Sequence, residues 1–277
     1  MKYFLPIVLL SLVISCTPNK NEQLKKDIIA ITSNKNATVG VAIMLKGNNE
    51  IISINNEHKY PMMSVFKFHL ALAVCDYLDK NNLPLSTEIF IDKADLLHNT
   101  YSPLRDKYPE GGISMTIGEM LQYTVSLSDN NTCDMLIKYI GGVKVFEEYI
   151  KGLGIKDVQI AITEREMQDA FENQYQNWTS PEAAVQLLDI FTEKDLFAKD
   201  YKDFLIKIMI ETKTGANKIK ALLPADVIVG HKTGSSHRSQ AGIQAADNDI
   251  AFIQLPDGKQ YYLAVFVTES TEDDKTN

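Results

Sequence analysis

The residues able to do chemistry in this chain stand in a few polar clusters inside apolar surroundings. In "PMMSVFKFHLALAV", residues 61–74, Ser64 and Lys67 lie three apart where a helix opens. Steps of about 100° and about 1.5 Å per residue bring the two to one side of that helix, within reach of each other. Phe66, Leu70 and Leu72 predict a helix buried on most sides, where an ammonium is costly and its pKa is pushed down. A lysine in that state can take the proton of a serine hydroxyl and leave a nucleophile. A second cluster, "SLSDNN", sets Ser128, Asp129 and Asn130 at the end of an apolar helix, and a third, "GHKTGSS", sets Lys232, Thr233 and Gly234 ahead of Ser235 on an expected strand. Taken singly, these read equally well as a helix cap with a snorkelling lysine, a helix boundary, and an edge-strand charge before a turn.

The elements that must hold these clusters follow from periodicity. "NEQLKKDIIAITSN" spaces Leu24, Ile28, Ile29 and Ile31 as an amphipathic helix, and "ATVGVAIMLKG" and "EIISINN" alternate as two strands around a Gly-Asn turn. From Ser64 to about residue 211 the pattern is helical. Thr116 with Glu119 forms a capping box, and Ser180 with Pro181 opens "PEAAVQLLDIF". Three strands return in "DVIVGHKTG", "DNDIAFIQLP" and "QYYLAVFVTE", the last two joined by "PDGK". Two strands at the start and three at the end make one antiparallel sheet interrupted by a helical insertion: an α+β chain with a five-stranded sheet, flanking helices and a helical domain. The expected division is 23–58 with 213–277 for the sheet domain and 59–212 for the helical one. A cleft between such layers is the usual place for a small-molecule site.

The first sixteen residues, "MKYFLPIVLLSLVISC", read as a leader: one lysine, then an apolar stretch too short to span a bilayer. Its "LVISC" ending resembles a bacterial lipobox, which makes Cys16 the lipidated first residue of an exported, periplasmic lipoprotein, with 17–22 as a polar tether. The whole chain has 28 basic and 36 acidic residues, a net charge of −8, and becomes one unit more negative when Lys2 leaves with the leader. An acidic chain argues against nucleic acid and against a basic membrane-binding face, so attachment to a membrane falls to the lipid alone. Cys75 and Cys133 lie in apolar helical contexts and are expected as two buried thiols.

In this order and at these separations, the three clusters resemble the active-site serine penicillin-recognising enzymes, whose signature is S-x-x-K, S-D-N and K-T-G. "NTYSPL", "QYTVSLSDNN" and "TGANKIKALLPADVIVGHKTG" are similar to segments of class A β-lactamases, nearest the branch of Bacteroides-type bacteria. The resemblance runs from about residue 22 to the end. It implies the β-lactamase/transpeptidase-like fold, a monomer without cofactor or metal, and a β-lactam substrate, of cephalosporin and penicillin type.

The resemblance also implies roles. Ser64 is the nucleophile, Lys67 assists its deprotonation, and Ser128 relays the proton to the departing ring nitrogen. The N–H groups of Ser64 and Ser235 form the oxyanion hole. Asn130 holds the substrate's amide side chain, Lys232, Thr233 and Gly234 receive the carboxylate, and either Lys218 or Arg238 supports them. Tyr101 stands at the cleft mouth. Within the loop 161–179, counting back from "QYQNWTSPE" gives Glu164 the position of the base that activates water, with Gln168 as the water's second partner where an asparagine is more usual. Met63 occupies the place of the cysteine in carbapenem-hydrolysing members, so carbapenem turnover is not expected. Members of the family end in a helix packed beside the first one, and this sequence stops at "TEDDKTN". The expectation is a truncated form with one sheet face partly bare. The rival readings are a penicillin-binding peptidase or β-lactam sensor that acylates without turnover, and an inactive relic. No G-x-S-x-G or H-E-x-x-H motif offers another hydrolase, and His69 reads as a packed core residue.

Overall fold

A computed structural model describes residues 20–48 and 50–277, so the leader, Cys16 and the first tether residues lie outside it. Its helices are α1 (Lys20–Thr32), α2 (Phe66–Lys80), α3 (Pro103–Lys107), α4 (Ile117–Ser126), α5 (Asn130–Tyr139), α6 (Val143–Gly152), α7 (Glu164–Asp169), α8 (Pro181–Glu193) and α9 (Lys199–Ile210). Its strands are β1 (Thr38–Leu45), β2 (Ile51–Ile54), β3 (Tyr60–Pro61), β4 (Glu88–Ile91), β5 (Ile113–Thr116), β6 (Val158–Gln159), β7 (Trp178–Thr179), β8 (Ile228–Ser235), β9 (Asp247–Gln254) and β10 (Gln260–Thr268).

The expected sheet is present in the order β2-β1-β10-β9-β8, every neighbouring pair antiparallel. The ends of the chain therefore meet at its centre, with Ala42 opposite Ala264. Two short ladders, β3-β7-β6 and β4-β5, were not legible: two- to four-residue strands are too short for alternation to register.

Two boundaries differ from the sequence reading. Helix α1 begins at Lys20, inside the expected tether, where Asn21 donates to the Glu50 carboxylate at 2.9 Å and Gln23 to Asp27 at 2.8 Å. Helix α8, which the sequence places in the helical domain, lies on the sheet instead, against β1, β9 and β10. Its apolar stripe of Val185, Leu188 and Phe191 joins Ala42, Ile250, Tyr262 and Phe266 in the same buried cluster as Phe66 and Phe68 of the nucleophile segment. An amphipathic stripe says that a helix buries one face, and not which layer receives it.

The outer sheet face is better covered than expected. Ile28 of α1 packs on Val39, Val41 and Val267, and Ile219 and Leu223 pack on Val229, Ala251 and Ile253. Apolar residues that stay open include Leu24, Ile29 and Ile31 of α1, Leu45 at the end of β1 and Leu222 beside Leu223. Past the end of β10, Ser270 pairs with Gln244, just ahead of β9.

Candidate active site

Ser64 sits in a single 3-10 turn, Met63–Val65, immediately before α2, rather than within the α-helix itself. Residues three apart nearly eclipse in that tighter turn, and Lys67 Nζ comes to 3.0 Å from Ser64 Oγ. Met63, just before the serine, has φ of 44°, a left-handed conformation that a non-glycine residue adopts only where its surroundings enforce it. The enforcement is visible: Met62 N donates to Asn177 O at 2.8 Å, and Asn248 Nδ2 donates to Pro61 O at 2.8 Å. Strand β8 supplies the rest. A Cβ on Gly234 would lie 2.3 Å from Met62 O and 3.1 Å from Ser64 N, so only glycine lets the strand close against the serine.

Lys67 is fully buried and makes four contacts: Ser64 Oγ, Ser128 O at 2.7 Å, Asn130 Oδ1 at 2.5 Å, and Glu164 Oε1 at 2.9 Å. Its buried ammonium is thus paired with a carboxylate, which offsets the cost of desolvation. Glu164 Oε1 is also 3.4 Å from Ser64 Oγ. Serine, lysine and glutamate, separated by up to a hundred residues, form one proton-sharing cluster.

The second motif divides its labour. Asp129 caps α5 through Thr132 N at 2.9 Å and accepts from Ser102 Oγ and Leu104 N at 2.8 and 2.7 Å, tying the Tyr101 loop to that helix. Asn130 N donates to Tyr101 O at 3.0 Å and its side-chain amide to Thr100 Oγ1 at 2.7 Å. Ser128, itself at φ 58°, accepts from Lys232 Nζ at 3.0 Å. Burial, then the like charge of Lys67, brings the Lys232 pKa down to about 7.

Glu164 opens α7 and is 2% exposed. Its N–H and that of Arg165 donate to Asp134 Oδ1 and Oδ2 at 2.8 and 2.9 Å. Asn177 holds the other side of the loop, accepting from Ala161 N and Ile162 N at 2.7 and 3.1 Å and donating to Ile162 O at 2.8 Å. Sequence reasoning missed both residues, since a helix-borne aspartate and a loop asparagine carry no local sign of such long-range partners. Burial and the neighbouring Glu164 push the Asp134 pKa up to about 7 despite the two N–H donors.

These groups surround an open cleft of about 780 Å3, enough for a bicyclic drug-sized molecule. Ser64, Tyr101, Ser128, Asn130, Glu164, Gln168, Thr233 and Ser235 line it, while Lys67 and Lys232 lie buried behind its wall. Lys232 therefore reaches the cleft through Ser128 and its charge, not by lining it as a contact. Of the two candidate supporting cations, Lys218 lines the cleft with its ammonium 3.0 Å from Ser235 Oγ. Arg238 turns away to Gly242 O, Gln244 Oε1, Glu272 O and Asp274. Cys75 and Cys133 are free and buried, and His69 is a core residue with neither ring nitrogen bonded.

Residues 22–277 match the model of the Beta-lactamase enzyme family. A β-lactamase of Bacteroides uniformis is 44% identical over 99% of this chain and 94% of its own length. The extended-spectrum β-lactamase PER-1 of Pseudomonas aeruginosa is 40% identical over 94% of this chain and 84% of its own. Among solved structures, a representative class A β-lactamase from Bacteroides cellulosilyticus superposes with a TM-score of 0.90 at 49% identity, covering 93% of this chain and 92% of that one.

Proposed function

The chain belongs to the class A β-lactamase family and is a serine β-lactamase, and from that premise we propose how its own residues open and release the substrate. Ser64 Oγ attacks the β-lactam carbonyl as its proton passes to Lys67, which hands its own proton to Glu164. The Ser64 and Ser235 N–H groups receive the oxyanion, a placement supported by the glycine-mediated closure of β8 on Ser64. The C–N bond breaks as Ser128, polarised by Lys232, gives its hydroxyl proton to the nitrogen, and the proton held on Glu164 returns through Lys67 to Ser128, which leaves Glu164 ionised. Glu164 then takes a proton from water, with Gln168 on the same wall, and the hydroxide cleaves the Ser64 ester. Asn130 holds the side-chain amide, Tyr101 borders the mouth, and Thr233 and Ser235 meet the carboxylate beside Lys218.

The observation that carries this reading is the Lys67 ammonium bridging Ser64 Oγ at 3.0 Å and Glu164 Oε1 at 2.9 Å, because it joins acylation and deacylation in one proton network. Cephalosporins and penicillins are the substrates, the former supported by relatives named for an extended spectrum, and imipenem is not turned over. The chain works as a monomer in the periplasm, anchored by a lipid on Cys16. Among the described residues no helix is long and apolar enough to cross a membrane.

Rapid mixing with a chromogenic cephalosporin tests the mechanism. Steady turnover is expected, lost by at least about 10⁴-fold in Ser64→Ala and reduced to one stoichiometric burst in Glu164→Gln. A burst without turnover in the unaltered protein would instead make it a sensor. Cys16→Ser moving the protein from the membrane to the soluble fraction tests the anchor.

A further inference from the structure

We propose that Asp247 is a specificity-determining residue: with Lys218 it forms a charge-compensated wall that sets how strongly this site grips an anionic substrate. The inference rests on the reading of the cleft given above. Asp247 opens β9 directly opposite Ser235 in the β8–β9 register, and its side chain is only 14% exposed although it lines the cleft. Its Oδ1 accepts the Ser235 hydroxyl at 2.5 Å and the Lys218 ammonium at 2.6 Å. Lys218, 16% exposed at its side chain, completes its donors with Ser235 Oγ at 3.0 Å and Asn248 O at 3.2 Å.

The donor protons of this triad are all committed. A serine hydroxyl has one proton, and that of Ser235 goes to Asp247. An ammonium has three, and those of Lys218 go to Asp247, Ser235 and Asn248. The neighbouring Thr233 hydroxyl is shared with Thr214 at 2.9 Å. A substrate carboxylate arriving here meets a cation already neutralised and a second carboxylate beside it. Asp247 thus lowers the attraction for a bare anion and leaves a substrate lacking that charge unaffected.

The test compares KM for a chromogenic cephalosporin as its free acid and as its methyl ester. Asp247→Asn is expected to lower the acid KM by about five-fold or more, with the ester KM within about two-fold of wild type, as a charge effect at short range demands. Lys218→Gln, which leaves Asp247 uncompensated, is expected to raise the acid KM by a similar factor, again without moving the ester, and the double variant to return near wild type. Should Asp247→Asn fail to fold, Asp247→Ser and Lys218→Gln carry the same contrast. An unchanged acid-to-ester ratio in the folded variants, or a raised acid KM in Asp247→Asn, overturns the inference. Absence of turnover in the unaltered protein would fail the proposed function instead, a result distinct from either.

Discussion

A lysine buried without a carboxylate of its own is a titratable device as well as a structural one. Lys232 donates to Ser128 Oγ and Thr233 O, neither of them charged, and its pKa lies near 7 because burial and Lys67 both disfavour the ammonium. It is charged below that pH and neutral above it. The positive potential behind the carboxylate-binding wall therefore fades as the solution becomes alkaline. For a cephalosporin bearing its free carboxylate, KM should climb between pH 7 and 9, whereas for the methyl ester it should stay flat. Equal pH dependence for acid and ester would remove Lys232 from carboxylate recognition. At this scale much was legible. Ser64, Lys67, Ser128, Asn130 and the Lys232–Ser235 run stand in local polar clusters, and their roles are implied by the resemblance that the three clusters carry together. Asp247, Asn248, Asn177 and Asp134 do not, because each acts through partners far along the chain that no local pattern encodes.

At the scale of elements, the loop carrying Glu164 is hung from one buried carboxylate. Asp134 of α5 accepts two N–H groups from the first turn of α7, and its pKa is raised from 3.8 to about 7 by burial and by Glu164. The sign follows from proton counting: between about pH 4 and 7 the folded chain keeps a proton that the unfolded chain has released. Stability contributed by this group is therefore greatest at low pH and is lost as pH rises toward 7. His69 gives the opposite slope, since burial holds its pKa down to about 4 and the unfolded chain binds the extra proton below 6.5. Comparing wild type with Asp134→Asn across pH 5 to 8 isolates the carboxylate. The wild-type melting temperature should fall relative to the variant by about a few degrees over that range. Parallel melting curves would mean that α7 does not feel the charge. The sequence revealed the five strands of the main sheet and the longer helices through their periods, and through its resemblance pointed to Glu164 by counting back from the segment around Trp178. It could not reveal that α5 holds α7, or that α8 belongs to the sheet, since those are choices of partner rather than of local conformation.

At the scale of the whole molecule, sheet and helices are two layers over one core. The sheet's inner residues Ala42, Phe252, Tyr262 and Phe266 fall in the same buried cluster as Phe66, Leu121, Phe146 and Phe191, so the helical layer and the inner sheet face share one apolar interior, with two smaller clusters left on the outer sheet face. The helical insertion leaves the sheet after β2 and returns at β8, its two edge strands, so it is tied to the sheet at both ends while β1 and β10 pair along their full length between them. Such an arrangement should unfold as one cooperative unit although the chain exceeds the size at which that is routine. Trp178, the sole tryptophan, lies in β7 against β3, where loop, nucleophile segment and sheet converge, and its fluorescence should follow the same urea transition as far-UV circular dichroism. Phe146→Ala in the helices and Phe252→Ala in the sheet should each move that single transition, by about 3–5 kcal/mol, and neither should split it. Non-coincident probes, or a variant in which one signal melts while the other holds, would show two separable domains and would detach the stability of the active-site wall on β8 from that of the serine in the turn before α2.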